Sequence, residues 1–171
     1  MAFETFRHRA AIAGRVTDAQ TGKPLPGARV AITSGPEVFT AGDGFYRFLD
    51  LPAGTYTLTA SLPGSGSRYG TESGQVVLGE DLETVDLELP ATTVKGKVKD
   101  QAGQAVRMAE VRVQGSGESA WSDAQGNYAL SGVEAGARRI EVSARGFQKV
   151  SETVAIGQPG ATVTRDVTLS P

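Results

Sequence analysis

Apolar and polar side chains alternate in short runs along most of this sequence. In residues 84–89, Val85, Leu87 and Leu89 alternate with threonine, aspartate and glutamate, and residues 55–60 and 94–99 show the same period of two. This period predicts β-strands with one apolar and one polar face, as in antiparallel sheets that cover a core from one side. Glycine and proline separate about seven such runs in each half of the chain, and no stretch sustains a helical period.

The second half of the chain repeats the first with an offset of 82 residues. The segment Ile12-Ala-Gly-Arg-Val-Thr-Asp18 recurs as Val94-Lys-Gly-Lys-Val-Lys-Asp100, and Gly44-Phe-Tyr-Arg-Phe48 recurs as Gly126-Asn-Tyr-Ala-Leu130. Only two copies are present, and each is long enough to bury a core of its own. The repeat therefore indicates a tandem pair of domains and not a solenoid.

The strand pattern and the repeat together give the predicted architecture. We expect an all-β protein with two tandem seven-stranded Greek-key β-sandwich domains. An N-terminal arm occupies residues 1–10, the first sandwich residues 11–90 and the second sandwich residues 91–171.

Composition narrows the classes of partner. The 171 residues include 17 Lys and Arg against 19 Asp and Glu, for a net charge of −2, and there is no cysteine. This balance gives no basic footprint for nucleic acid, and a chain without cysteine has no disulfide or thiolate metal site. No apolar run approaches the ~20 residues that span a bilayer, so we expect no membrane insertion.

The N-terminus lacks the apolar stretch of a secretory signal. Basic residues occur in the first ten positions, but no hydrophobic run follows them. We therefore expect a cytoplasmic protein, or a part of a particle that is assembled inside the cell.

Side chains that support catalysis or metal binding are scarce. His8 is the single histidine, which leaves too few ligands for zinc and would place a Ser-His-Asp triad on the terminal arm. The run Glu80-Asp81-Leu82-Glu83 lacks the alternating oxygen ligands of a calcium loop, so we interpret it as an acidic turn. We expect no catalytic residue, no cofactor and no metal.

The second copy has the residue types for an intramolecular isopeptide bond, which is an alternative to a domain without reactive side chains. Lys97, Glu141 and Asp166 supply the required residue types, but apolar neighbours place all three on the outward phase of their strands. Turning them inward needs a one-residue register shift, which would expose the apolar set. The sequence argues against this bond.

The N-terminal arm carries an apolar-then-basic pattern that no core requires. Phe3 and Phe6 precede Arg7 and Arg9. We expect these four side chains to contact a partner protein.

Aromatic residues outside the predicted cores supply two further candidate contacts. Tyr69 lies in the Gly- and Ser-rich segment 64–70, the longest insertion of the first copy, which we interpret as a mobile or binding loop. Trp121 and Phe39 occupy equivalent positions of the two copies. We interpret both as capping a sandwich edge, with sugar stacking and a partner contact as the alternatives for Trp121.

The motifs of the first copy resemble those of a known family. They run Gly14-x-Val16-x-Asp18, then Gly22-Lys-Pro-Leu-Pro-Gly27, then Asp43-Gly44-x-Tyr46 and Leu51-Pro-x-Gly54-x-Tyr56. In this respect the chain resembles the carboxypeptidase regulatory-like domain, closely over residues 11–62 and more loosely over 93–147. The resemblance implies a transthyretin-like, immunoglobulin-like sandwich without peptidase activity.

Two functions follow as hypotheses from this reading. The first is a non-catalytic structural or protein-interaction module, an accessory subunit of a larger assembly such as a phage-tail-like particle. It would dock through its N-terminal arm and through strand edges or loops. The alternative is a carbohydrate-binding or adhesion module at a cell surface.

Overall fold

The computed structural model describes residues 9–171, and their regular structure is almost entirely β-strand. One short 3₁₀ helix, Pro63–Ser65, is the only helical element in that range. The chain divides into two compact units. The first unit comprises the described residues up to Gly64 together with Thr71–Leu89, and the second unit comprises Ser65–Gly70 and Pro90–Pro171.

Each unit contains eight strand segments in the same order. Those of the first unit are β1 (Ala10–Asp18), β2 (Arg29–Ile32), β3 (Glu37–Phe39), β4 (Phe45–Leu49), β5 (Gly54–Ser61), β6 (Glu72–Leu78), β7 (Glu83–Thr84) and β8 (Leu87–Leu89). Those of the second unit are β9 (Thr93–Asp100), β10 (Glu110–Val113), β11 (Ser119–Trp121), β12 (Asn127–Ser131), β13 (Gly136–Ser143), β14 (Val150–Ile156), β15 (Thr162–Thr164) and β16 (Val167–Leu169).

Two sheets form the sandwich of each unit. In the first unit one sheet has the order β3-β2-β5-β6, and the other has the order β4-β1-β7 with β8 also paired to β1. The second unit repeats both orders as β11-β10-β13-β14 and β12-β9-β15 with β16. Since β7 and β8 are successive parts of one interrupted strand, as are β15 and β16, each unit is the predicted seven-stranded sandwich.

One pairing differs from the expectation of purely antiparallel sheets. The first and last strands of each unit run parallel: β1 pairs with β7 and β8, and β9 pairs with β15 and β16. The prediction was wrong here because side chains alternate between faces with a period of two in parallel and antiparallel strands alike. The sequence pattern therefore carries no information on strand direction.

The interior of each sandwich is apolar. Ile12, Leu58 and Leu89 are fully buried in the first unit, as are Leu130 and Ile140 in the second. The outward positions between the buried ones are polar or small in most strands, as in Asn127–Ser131, where exposed and buried residues alternate. Burial of these side chains, at about 25 cal/mol per Å² of apolar surface, is the main favourable term for each unit.

The backbone of the last strand comes very close to a glycine of the first strand in each unit, and we call this contact the crossing. A Cβ atom placed on Gly14 would lie 1.7 Å from the carbonyl oxygen of Val85, and one placed on Gly96 would lie 2.0 Å from the carbonyl oxygen of Arg165. Both carbonyls belong to the interruption of the last strand. No side chain fits between the strands at this crossing, so glycine is required at both positions.

A tyrosine hydroxyl completes the crossing in each unit. Tyr46 donates a hydrogen bond to the Val85 carbonyl, and Tyr128 donates one to the Arg165 carbonyl. Burial raises the pKa of Tyr46, and it raises the pKa of Tyr128 to about 12, with a further contribution from the charge of Asp166. The neutral phenol is thus the form that the fold selects.

One residue departs from the backbone pattern of the first copy. Gly27 has a φ of 71°, and its equivalent is Met108, which adopts a φ of 57° although it is not glycine. Its side chain is 60% exposed and gains little from burial. A left-handed conformation costs an ordinary L-residue roughly 1–2 kcal/mol, so Met108 destabilises the second unit.

The crossing predicts the effect of the mutation Gly96→Ala. The added methyl group meets a backbone oxygen that is held by two neighbouring strands, so we expect the free energy of unfolding of the second unit to fall by at least about 2 kcal/mol. The single tryptophan, Trp121, lies in this unit and reports its unfolding in urea. The control is Gly157→Ala, where an added Cβ meets nothing within 4 Å; equal losses in both variants would contradict the crossing.

The left-handed backbone at Met108 predicts a stabilising mutation. Met108→Gly should raise the free energy of unfolding of the second unit by about 0.5–1 kcal/mol, because glycine adopts this φ without steric cost. Arg107→Gly, one residue earlier and also exposed, should lower it by a similar amount. Urea titrations of the two variants test the prediction, and stabilisation by both or neither would refute it.

The raised pKa of Tyr128 predicts a loss of stability in alkali. The phenol has an ordinary pKa near 10 in the unfolded chain, so the stabilisation is complete below pH 10 and is lost as the pH rises towards 12. We expect Tyr128→Phe to lose less unfolding free energy than the parent chain between pH 9 and pH 11.5. Urea unfolding followed by circular dichroism measures the difference. Equal losses of unfolding free energy in both proteins would rule out Tyr128 as the cause of the instability in alkali.

Candidate functional site

A groove of about 670 Å³ lies on the outer surface of the first unit. Its walls come from β3, from β4 and from the central strand β1, which contributes Ala13. Phe39 and Phe45 are 56% and 52% exposed there. Phe45 points outward because its neighbour Tyr46 occupies the inward phase of β4.

An arginine covers the second of these rings. The Cζ atom of Arg15 lies 5.4 Å from the ring centroid of Phe45, within the range of a cation–π contact. The Nε atom of Arg15 also donates to the carbonyl oxygen of Asp43, at 3.1 Å. Arg47 lies in the same groove and is exposed. The groove of the first unit thus combines two exposed phenylalanine rings with Arg47, and Arg15 covers one of these rings.

The second unit carries a groove at the equivalent place, with a volume of about 650 Å³. Trp121 replaces Phe39 and is 57% exposed, while Asn127 replaces Phe45. Lys95 and Lys97 line this groove at the positions of Ala13 and Arg15. The repeat therefore preserves the groove and one exposed aromatic ring, and it replaces the second ring with Asn127 beside two lysines.

Trp121 and Phe39 lie at edge positions, in β11 and β3, as the sequence indicates. Both residues are more than half exposed, so neither ring is part of the core. The role of Trp121 as a partner contact stays a prediction.

A smaller cavity of about 390 Å³ surrounds Arg9 in the first unit. The backbone N–H of Arg9 donates to Asp50 at 2.9 Å, and its guanidinium donates to the carbonyl oxygen of Glu80. Arg9 is therefore anchored on its own unit. The other three arm candidates, Phe3, Phe6 and Arg7, lie outside the described residues.

Tyr69 lies in a segment that packs within the second unit. It is half-buried and forms an isolated β-bridge with Ala91. In the same segment the hydroxyl and N–H of Ser67 donate to Glu134, and these bonds lower the pKa of that carboxyl group. Arg68 pairs with Glu118. These contacts pack the segment within the second unit. The interpretation of the segment as a mobile or binding loop stays a prediction.

The three residue types of an isopeptide bond are not brought together. Lys97 and Asp166 are exposed beside the sheet that contains β9, whereas Glu141 belongs to β13 in the other sheet. Glu141 instead pairs with Lys149 at 3.0 Å. The outward orientation predicted for Lys97 and Asp166 is what the structure shows.

The buried polar side chains within residues 9–171 all bond to the backbone. Thr40 donates to the Leu25 carbonyl and accepts from the Ala28 N–H, and Ser122 makes the same pair of bonds in the second unit. The remaining members, Asp18, Thr92 and Thr93, are bonded to backbone groups in the same way. Each of them has a structural partner inside its own fold.

No three His, Cys, Asp or Glu side chains of residues 9–171 lie together as metal ligands. In the same range, no helix is both long enough and apolar enough to cross a membrane.

Phe45 and Arg15 are the groove residues that sequence reasoning missed. A usable signal was present, since Phe45 is an aromatic residue on the polar phase of an alternating strand. Its contact with Arg15 was not visible in the sequence. The contact depends on the pairing of β4 with β1, which places the two residues opposite each other.

Solved structures that are similar to this chain include two pilins and a protein of Bacillus anthracis. A shaft pilin from Lactobacillus rhamnosus GG is 13% identical, with 96% of this chain and 98% of that chain covered and a TM-score of 0.44. The minor pilin of Streptococcus agalactiae is 12% identical, with coverages of 95% and 96% and a TM-score of 0.41. The Bacillus anthracis TIE protein is 15% identical with a TM-score of 0.42, and the match covers 94% of this chain and only 34% of that one.

No curated protein matches this chain. The family described as the carboxypeptidase regulatory-like domain matches residues 11–90 and, a second time, residues 93–170. The two matches together take in nearly all of the sequence and follow the internal repeat. This chain therefore belongs to the carboxypeptidase regulatory-like domain family, of which it carries two tandem copies.

Proposed function

We propose that this chain is a non-catalytic structural or protein-interaction module, an accessory subunit of a larger assembly such as a phage-tail-like particle. It docks through its N-terminal arm and through strand edges of the first sandwich, within the cell or within a particle assembled there. The observation that carries the proposal is the aromatic groove of the first unit. Its two exposed phenylalanines lie on strands that end their sheets, Phe39 in β3 and Phe45 in β4.

The composition of this groove fits a protein partner. Aromatic residues and arginine are enriched at protein interfaces, where a few such side chains supply most of the binding energy. Strands β3 and β4 each have a neighbour on one side only within the described residues. A free strand edge beside apolar pockets is the arrangement that accepts an extended segment of another protein.

The hydrogen bonding of the buried polar groups supports a non-catalytic role. The five polar residues that are buried as a whole within residues 9–171 already serve backbone groups, as described above. One oxygen of the half-buried Glu152 is buried without a hydrogen-bond partner and lies 3.8 Å from the Nε atom of Arg165. A catalytic residue needs a group that is free to exchange a proton or attack a substrate, together with a site that excludes water. Three titratable residues of the described part of the chain are buried as a whole, and each is bonded to the backbone: the Asp18 carboxylate accepts from N–H groups of its own loop, and the hydroxyls of Tyr46 and Tyr128 donate to carbonyl oxygens.

One observation favours the alternative, a carbohydrate-binding module at a cell surface. Trp121 presents more than half of its side chain in a groove lined with hydrogen-bonding groups. A flat exposed ring beside polar side chains suits the stacking of a sugar. This observation concerns the second unit, whereas the protein-docking proposal rests on the first.

The docking proposal predicts the behaviour of the double mutant Phe39→Ser/Phe45→Ser. In extracts of the producing cell, the tagged parent chain should elute in a complex, and the double mutant should elute mainly as the free chain. Loss of two aromatic anchors should weaken the interaction at least about tenfold. Both side chains are already half exposed, so the fold should persist, as circular dichroism can verify.

Val77→Ser is the matched control, because Val77 is 71% exposed in the same unit but does not line the groove. It should remain in the complex. Deletion of residues 1–9 tests the contribution of the arm separately. A free parent chain, or a double mutant that stays in the complex as Val77→Ser does, would overturn the proposal.

A further inference from the structure

We propose that the second sandwich binds an anionic polysaccharide, a linear chain of uronic-acid type, on the outer face of the sheet that contains β9. Lys95, Lys97 and Lys99 would contact its carboxylates, and Trp121 would stack on a sugar ring. The inference rests on the carbohydrate alternative and makes it specific. It is independent of the docking proposal, because the aromatic groove belongs to the first unit.

The three lysines form a row along one strand. They occupy alternate positions of β9, and all three are exposed while Val94 and Val98 are buried. Alternate residues of a strand are about 6.7 Å apart and face the same side, so the three side chains leave the sheet in line. Three like charges on one face repel one another and lower the stability of the bare protein.

The neighbouring strands do not neutralise this row. Lys95 lies opposite Ala129 and Thr164, Lys97 lies opposite Asn127, and Lys99 lies opposite Thr168. Opposite charges are the stabilising cross-strand pair, yet these paired residues are neutral. The two carboxylates that line the groove beside Lys95 and Lys97, Asp123 and Asp166, accept from backbone N–H groups. None of the three lysines forms an ion pair within the described residues, in contrast to Lys149, which pairs with Glu141.

The groove at Trp121 supplies the groups that a sugar needs. It contains Lys95, Lys97, Asn127 and Thr164 together with the exposed indole ring. An indole face packs against the C–H face of a pyranose, and amide, hydroxyl and ammonium groups bond to its hydroxyls and carboxylate.

Two carboxylates in the same groove favour a glycan over other polyanions. Asp123 accepts from backbone N–H groups of its own turn, and Asp166 accepts from the N–H of Lys97 at 2.9 Å. Their remaining acceptor capacity suits sugar hydroxyls. A uronic-acid chain carries hydroxyl groups that donate to these oxygens, whereas the ionised side chains of an acidic peptide and the phosphates of a nucleic acid carry no such donor.

The first unit provides an internal comparison. Its strand β1 has Ala13, Arg15 and Thr17 at the three lysine positions. Thr17 lies opposite Glu88, so the charge there is reversed relative to the second unit. The lysine row is a property of the second copy alone, and a variant of the first copy serves as a control.

The experiment titrates the full chain with oligogalacturonate and follows the fluorescence of Trp121, which is the only tryptophan. We expect a saturable change that weakens as salt is added, because counterions compete for the lysines. A neutral cello-oligosaccharide of equal length should bind at least about tenfold more weakly, and so should poly-glutamate. Tight binding of poly-glutamate with the same lysine dependence would overturn the assignment to a glycan in favour of an acidic protein.

Variants locate the site. Lys95→Gln/Lys97→Gln/Lys99→Gln should lower the affinity for oligogalacturonate at least about tenfold, whereas the corresponding triple replacement by arginine should keep it, because the charge remains. Trp121→Ala, measured by calorimetry, should also weaken binding. Arg15→Gln/Arg47→Gln in the first unit should change nothing.

The outcome separates this inference from the docking proposal. Phe39→Ser/Phe45→Ser should bind oligogalacturonate as the parent chain does, whatever its effect on the complex. No binding to oligogalacturonate, or equal binding by the glutamine and arginine triple variants, would overturn the inference.

Discussion

The close passage of the last strand over the first is the constraint on which each sandwich depends. The carbonyl oxygens of Val85 and Arg165 lie where the side chains of residues 14 and 96 would be. Only glycine permits that approach, and a tyrosine hydroxyl then satisfies the carbonyl that the crossing takes out of regular pairing. The interruption of the last strand, between its two parts that pair in parallel with the first strand, lies at this contact.

Because the crossing and the apolar interior determine the fold, the outer faces of the two copies can diverge without loss of structure. The equivalent grooves show this divergence: Phe45 and Arg15 in one copy correspond to Asn127 and Lys97 in the other. Each replacement lies on the outward phase of its strand, where it alters no core contact. A duplicated scaffold of this kind can present two different surfaces at the same place.

Most of the fold could be predicted from the sequence, and only part of the candidate site. The alternation in residues 84–89 and the offset of 82 residues predicted the strands and the two copies, and the motifs between Gly14 and Tyr56 carried the resemblance to the family. Tyr69 illustrates the limit. Its Gly- and Ser-rich segment has the composition of a loop, but its packing within the second unit depends on the hydrogen bond of Ser67 to Glu134, which is 67 positions away. Composition reports local preference and carries no information on such distant partners.

The sequence by itself determined which side chains face the interior, because the faces of a strand alternate with a fixed period of two. It also determined the duplication and the scarcity of catalytic residue types. Tertiary structure alone decided the direction of the first-to-last pairing, the packing of residues 65–70 within the second unit and the grouping of Trp121 with Lys95 and Lys97. These features depend on which strands become neighbours, and neighbours are chosen by the packing of the whole unit and not by any local run of residues.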